Sequence, residues 1–238
     1  MSEKLIAFDI WGDYAYFRRG YTTTSTVSFP FPSRTTIAGL ISSILGFKRD
    51  SYYDIFEENN SKIGIKLLNP IKKAHFNLNY LNTKVGFNLY DINPKQGLRT
   101  QVQAEFLKDP KFRIYVSLSD REIMDNLFDL LSNHKSIFTP YLGISECIAN
   151  FKLVGDDFLS ANKKSGNNVD INSVVLKENS NIIIESGKKY GLVKSPGFMN
   201  SDRVVTKYLE YYYEEKGESI KISDGEYYSI GEDNVILF

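Results

Sequence analysis

The sequence holds one cysteine, Cys147, and two histidines, His75 and His134. A single thiol closes no intrachain disulfide, and one cysteine with two histidines cannot build a Cys/His zinc site. An excess of either charge is missing too: 29 Lys and Arg balance 29 Asp and Glu, for a formal net charge of zero. A free-standing nucleic-acid binder is usually basic, so such a role requires cations gathered on one face or shared with partner subunits. No run of 18 apolar residues occurs, and the opening Met-Ser-Glu-Lys-Leu-Ile lacks the apolar core of a secretory signal. The expectation is a cytoplasmic protein with no membrane partner. Catalytic signatures are scarce: there is no G-x-S-x-G and no H-E-x-x-H. Gly191 to Gly197 (GLVKSPG) lacks the Lys-Ser/Thr that follows the second glycine of a phosphate loop, and reads as a turn; Asp156 and Asp157 read as solvated loop carboxylates. No catalytic residue, no metal and no cofactor is expected.

Aromatic side chains are plentiful, with 16 Tyr and 16 Phe. They suit strands and can also serve as stacking platforms for bases. Leu5 to Trp11 reads as a strand, followed by a hydroxyl-rich stretch, Tyr14 to Phe31, with two arginines and four threonines. Ile37, Leu40, Ile41, Ile44 and Leu45 follow the spacing of one buried helix face, with Ser33 at the N-cap and Gly46 at the exit. Further strands are expected at Ile63 to Leu68, Phe112 to Leu118 and Cys147 to Leu153. A second helix runs through Ile123, Leu127, Leu130 and Leu131, opened by a Ser119/Glu122 capping box. The long Asn69 to Asp109 connection reads as a projecting arm, because a structureless loop of that length is rare. The order β-α-β-β-α-β predicts an α+β, ferredoxin-like (RRM-like) domain over 1–160 with a thumb insertion near 77–104. Asn162 to Asn168 reads as a loop, and 165–238 as a smaller C-terminal antiparallel β region.

Three clusters could meet RNA. Arg18, Arg19 and Tyr21 sit in the hydroxyl-rich stretch, and Arg34, Thr35 and Thr36 open the first helix, where free N–H groups and the helix dipole favour a phosphate. Lys72, Lys73 and His75 lie at the mouth of the arm. They read as a basic contact patch, or as a histidine base with lysines stabilising a phosphorane in metal-free RNA cleavage. On the return of the arm, alternation puts Arg99, Gln101 and Gln103 on one face.

The run FDIWGDYAYFRRGYTTTSTVSFPFPSRTTIAGLISSILG resembles the N-terminal signature of the fifth CRISPR-associated (Cas) protein family, and RTQVQAEFLKDPKFRIYVSL and PYLGISECIA resemble later segments of that family, its type I-B branch in particular. The resemblance implies a non-catalytic Cascade subunit that caps the 5′ handle of crRNA and joins the Cas-seven backbone and Cas-eight large subunits, with target DNA met through the complex. It carries handle binding onto Arg18, Arg19, Arg34 and Thr35, and thumb contacts onto Arg99 and Gln101. In the type I-C branch the family member itself cuts precursor RNA, using a Tyr and an adjacent Lys-His pair. Here Ala74 separates Lys73 from His75, and Lys135 follows His134 in reverse order, so no catalytic residue carries over. A metal-independent endoribonuclease and a purely structural assembly subunit are the alternatives.

Overall fold

The computed structural model describes residues 3–22, 25–81, 99–178 and 180–238. The chain opens with β1 (Glu3–Trp11), then two short strands, β2 (Tyr14–Ala15) and β3 (Ser25–Thr26), before helix α1 (Arg34–Leu45). β4 (Ser61–Leu67) leads into a long hairpin, β5 (Lys72–Leu81) and β6 (Arg99–Lys108), which returns to β7 (Lys111–Leu118), helix α2 (Arg121–Ser132) and β8 (Asn150–Leu153). Six strands follow: β9 (Leu159–Ile171), β10 (Val175–Leu176), β11 (Tyr190–Met199), β12 (Val205–Glu214), β13 (Ile220–Ile230) and β14 (Asp233–Val235). Among the described residues no helix is long and apolar enough to cross a membrane.

Alternation in β1 organises the centre of the molecule. Ile6, Phe8 and Ile10 enter the main core with Ile37, Ile41 and Ile44 of α1 and Leu127 and Leu131 of α2. The next strands pair antiparallel in the order β8-β1-β7-β4. The opposite face of β1 sends Leu5 and Ala7 into a second, smaller core with Tyr115, Ala161, Ile230 and Val235. That core forms because the sheet curls. β9 pairs with β1, β13 with β9 and β14 with β13, and the last residue, Phe238, exchanges backbone hydrogen bonds with Ile63 of β4 at 2.9 and 3.0 Å. Gly64 permits this closure: a Cβ there would lie 2.7 Å from Val235 Cγ1 and 3.2 Å from the Ile236 carbonyl.

Several elements differ from expectation. The chain does not break near residues 160–165, since β9 crosses that stretch and continues the sheet begun by β1. Asn162 to Asn168 is therefore strand, paired to Asp224 to Ser229 except at Asn168, and reads as polar because this part of the hairpin projects with little packed against it. Gly191 to Gly197 is not a turn but the middle of β11, an edge strand of a three-stranded sheet (β10-β12-β11) packed on α1. Pro196 is tolerated there because an edge strand need not donate on its outer side. Helix α1 has the expected caps, with Ser33 accepting from the Thr36 N–H and Gly46 at φ 79°. The N-cap of α2 is Asp120 rather than Ser119, and it accepts from the Ile123 N–H at 3.1 Å.

Candidate nucleic-acid interface

The arm is an antiparallel hairpin whose register sorts its side chains onto two faces. Lys73, His75, Asn77 and Asn79 of β5 share one face with Glu105, Gln103 and Gln101 of β6. Asn77 stands opposite Gln103, and Asn79 opposite Gln101. All four amides are exposed, so this face offers a ladder of donors and acceptors with one carboxylate, at its root. The other face carries Ala74, Phe76, Leu78 and Tyr80 opposite Phe106, Ala104, Val102 and Thr100.

The aromatic face anchors the arm. Phe76 meets Tyr14 edge-on at 5.1 Å and Phe106 at 5.3 Å, while Tyr16 stacks on Phe106 at 4.7 Å. Both short strands bind the outer edge of β6: Tyr14 and Ala15 pair with Lys108 and Leu107, and Ser25 and Thr26 run parallel to Gln103 and Ala104. The Tyr16 hydroxyl contacts Thr26 Oγ1 at 2.6 Å. The hydroxyl-rich stretch is thus a wrap around the arm's base, and it delivers the first arginine cluster there. Arg18 is exposed and donates to the Thr22 carbonyl at 3.1 Å. Arg19 donates to the Tyr21 hydroxyl at 3.3 Å and covers the Phe29 ring at 5.4 Å, leaving its buried Nε without a partner. Tyr21 is 71% exposed.

Glu105 marks the root. It is only 8% exposed, and its Oε2 lies 3.1 Å from Lys73 Nζ and 3.7 Å from His75 Nε2. Its Oε1 is buried and unpartnered. Burial holds the Tyr213 hydroxyl of β12 above the usual phenol value, Glu215 adds to this, and Arg19 and Glu105 act on it in opposite directions. The Ile71 N–H, just before β5, donates to the Glu215 carbonyl at 2.8 Å, which sets the root of the arm and its wrap beside the end of β12 at one junction. Lys72 points to the other face, 3.9 Å from Asp109.

The helix start does not join this junction. Arg34 is 1% exposed, and its guanidinium is consumed by the protein. Nε donates to the Phe238 carbonyl (3.2 Å), Nη1 to the Phe56 carbonyl (2.6 Å) and Nη2 to the Ser61 carbonyl and hydroxyl (3.2 and 2.6 Å). It also lies over the Phe198 ring at 4.0 Å, and burial pushes its pKa down to about 10. The Thr35 and Thr36 hydroxyls are engaged by the Ser33 hydroxyl at 3.0 and 2.8 Å. Arg34 sits beside the first residue of β4, whereas the arm departs beyond its last, so about 20 Å of strand separates them. The expected phosphate site at Arg34 is therefore corrected to a structural clamp. Lys73, His75, Gln101 and Gln103 share one face of the arm, and Arg18, Arg19 and Tyr21 lie in the wrap between the two short strands that pair with its β6 edge. Arg99 is paired with Leu81 at the far end of the described β6, and the thumb residues 82–98 lie outside the described residues. Glu105 was missed on sequence. Its signal was a lone acid in a strand face of amides, directly opposite His75.

A family model described as CRISPR-associated protein (Cas_Cas5) matches residues 5–185. The chain belongs to the Cas_Cas5 family. The matched span of this Cas_Cas5 protein includes both helices, the arm and its wrap, while β11 to β14 lie beyond it. The match names the family and not a branch of it. A CRISPR protein from Archaeoglobus fulgidus shares the fold, at 13% identity and a TM-score of 0.56, over 98% of each chain. A chain of a CRISPR RNA-guided surveillance complex does so at 14% identity and 0.51, over 93% of this chain and 90% of that one. No curated protein sequence matches the chain. Among the described residues, no three His, Cys, Asp or Glu side chains gather as metal ligands would.

Proposed function

We propose that this Cas_Cas5 protein is a non-catalytic subunit of a CRISPR RNA-guided complex that grips the 5′ handle of crRNA at the base of its arm, acts in the cytoplasm, and joins a Cas-seven backbone and a Cas-eight large subunit. The strand order β8-β1-β7-β4, with a helix before β4 and another before β8, supports reading the centre as ferredoxin-like. The observation that carries the RNA assignment is the exposed amide ladder of the arm, whose β6 edge is wrapped by the stretch that bears Arg18 and Arg19. Amides and hydroxyls there can contact sugars and base edges, while Arg18, Arg19 and Lys73 supply phosphate partners. With a neutral overall charge, the phosphate contacts fall to these few cations at the arm root and to partner subunits that share the load. Binding of a handle-bearing RNA, followed by fluorescence anisotropy, tests the reading. Arg18→Ala with Gln103→Ala should weaken binding and lower the salt slope, by about 0.7 for one lost phosphate contact to a single strand. Unchanged affinity in that double variant removes the assignment.

A second reading has one observation in its favour: His75, Lys73 and Glu105 form a base–cation–carboxylate group at the arm root. It makes the chain a metal-independent endoribonuclease. Repeat RNA incubated with the protein in EDTA decides between them, and a defined product that disappears in His75→Ala selects the enzyme.

A further inference from the structure

Trp11 is the chain's only tryptophan and ends β1. Because Ile6, Phe8 and Ile10 face the helices, alternation puts Asp9 and Trp11 on the opposite face of the sheet. The register sets Lys111 of β7 and Asn150 of β8 directly across from Trp11, with Arg113 and Lys152 across from Asp9. The Lys111 ammonium lies 5.5 Å from the centroid of the Trp11 ring. Inside the mouth of the curled sheet the charges are matched. Asp9 takes Arg113 at 2.7 Å, and Asp233 takes Lys66 at 2.6 Å. Outside it they are not: among the described residues neither Lys111 nor Lys152 has a carboxylate partner. Beside Trp11 a groove of about 500 Å³ opens along β8, lined also by the rings of His134 and Phe151, which stack on each other at 4.8 Å. Asp156 is the one carboxylate of its lining.

We propose that this face is a second nucleic-acid contact, separate from the arm, which stacks unpaired bases of a single strand on Trp11 and in the adjoining groove while Lys111 and Lys152 hold the flanking phosphates. Single strands without sequence code are bound in this way, by flat aromatic surfaces interleaved with cations. The charge is complementary to a phosphate chain, and the Trp11 ring, with the exposed His134 ring that lies over buried Phe151 at the edge of β8, supplies the stacking that an acidic peptide would not use. The contact does not depend on the arm reading and can fail or hold without it.

Because Trp11 is alone, its emission reports on the site directly. A labelled homopyrimidine oligonucleotide is titrated into the protein, and its anisotropy and the tryptophan emission are read together. The expected result is quenching that saturates along the binding curve. Lys111→Ala with Lys152→Ala should weaken the quenching transition and lower its salt slope by about 1.4, two single-strand contacts. Trp11→Ala should cost about 5- to 150-fold in affinity, the span for one lost base–aromatic stack. Trp11→Phe, which keeps a ring and the fold, should retain most of it. Arg18→Ala with Gln103→Ala should leave the quenching in place, which keeps this contact distinguishable from the arm. Emission that no oligonucleotide moves, or that stays constant while anisotropy rises, overturns the proposal. So does stronger quenching by polyglutamate, which would make an acidic protein segment the occupant.

Discussion

Replacing Arg34 separates a clamp from a phosphate site. Its guanidinium donates to three carbonyls and one hydroxyl, at 2.6 to 3.2 Å, and ties the start of β4 and the last residue of the chain to α1. Truncation strands the Phe56 and Ser61 carbonyls, whose bonds to a charged donor are worth about 1.5–3 kcal/mol each. Part of this is offset, because a buried cation no longer has to be desolvated. Burial has already lowered its pKa from 12.5 to about 10, a cost of about 3 kcal/mol. The packing over Phe198 is lost as well. The net expectation for Arg34→Ala is a destabilisation of about 2–4 kcal/mol, within the range for breaking a buried polar network. Arg34→Met keeps the aliphatic stem over Phe198 and should lose about 1 kcal/mol less. Urea unfolding with linear extrapolation reads both. RNA affinity, measured on folded protein below the transition, should stay at the wild-type value. Stability unchanged within about 0.5 kcal/mol, together with lost RNA affinity, would refute the reasoning and return the helix start to the RNA site.

Glu214 is 2% exposed and accepts from the backbone N–H groups of Lys189, Lys216 and Glu218 at 3.1, 2.8 and 2.9 Å. Glu214→Ala should therefore cost at least about 2 kcal/mol in the same urea assay. Gly64→Val should open the closure of the curled sheet, where Val235 and Leu237 already occupy the space; faster amide exchange at Phe238 and Ile63 checks it. Burial, aided by Glu146, pushes the Cys147 thiol up to about 11 from an ordinary 9.0. Its folded value lies above its unfolded one, so its contribution to stability is complete below pH 9 and disappears as pH rises through about 11. Alkylation of native protein at pH 8 should run about 100-fold slower than in the unfolded chain, followed by mass spectrometry.

Where local chemistry decides an element, the sequence was legible. The five-residue apolar spacing and the Ser33 and Gly46 caps located α1 to within a residue, and the pattern Ile63, Ile65, Leu67 located β4. What could not be read was set by contacts distant in the chain. Arg34 looks like an anion site beside its neighbours, yet its partner Phe238 is 204 residues away. Gly191 to Gly197 has turn composition, but pairing with β12 makes it a strand. The polar run in β9 carries no alternation because neither side is buried there. At the candidate site, the amide ladder followed from alternation along one strand, Arg99, Gln101 and Gln103. Its other half, Asn77 and Asn79, required the hairpin register. Trp11 ends an apolar run and passes for core until the pairing of β7 and β8 sets lysines around it.

The central claim is that the arm's amide face and the arginines at its root hold the leading end of a guide. A guide RNA carrying a photoreactive group at its 5′ end, crosslinked within the assembled complex and mapped by peptide mass spectrometry, addresses it directly. The account predicts adducts in residues 18–22, 73–79 and 101–105 of this chain. Adducts confined to residues 33–36, or found only on other subunits, would contradict it.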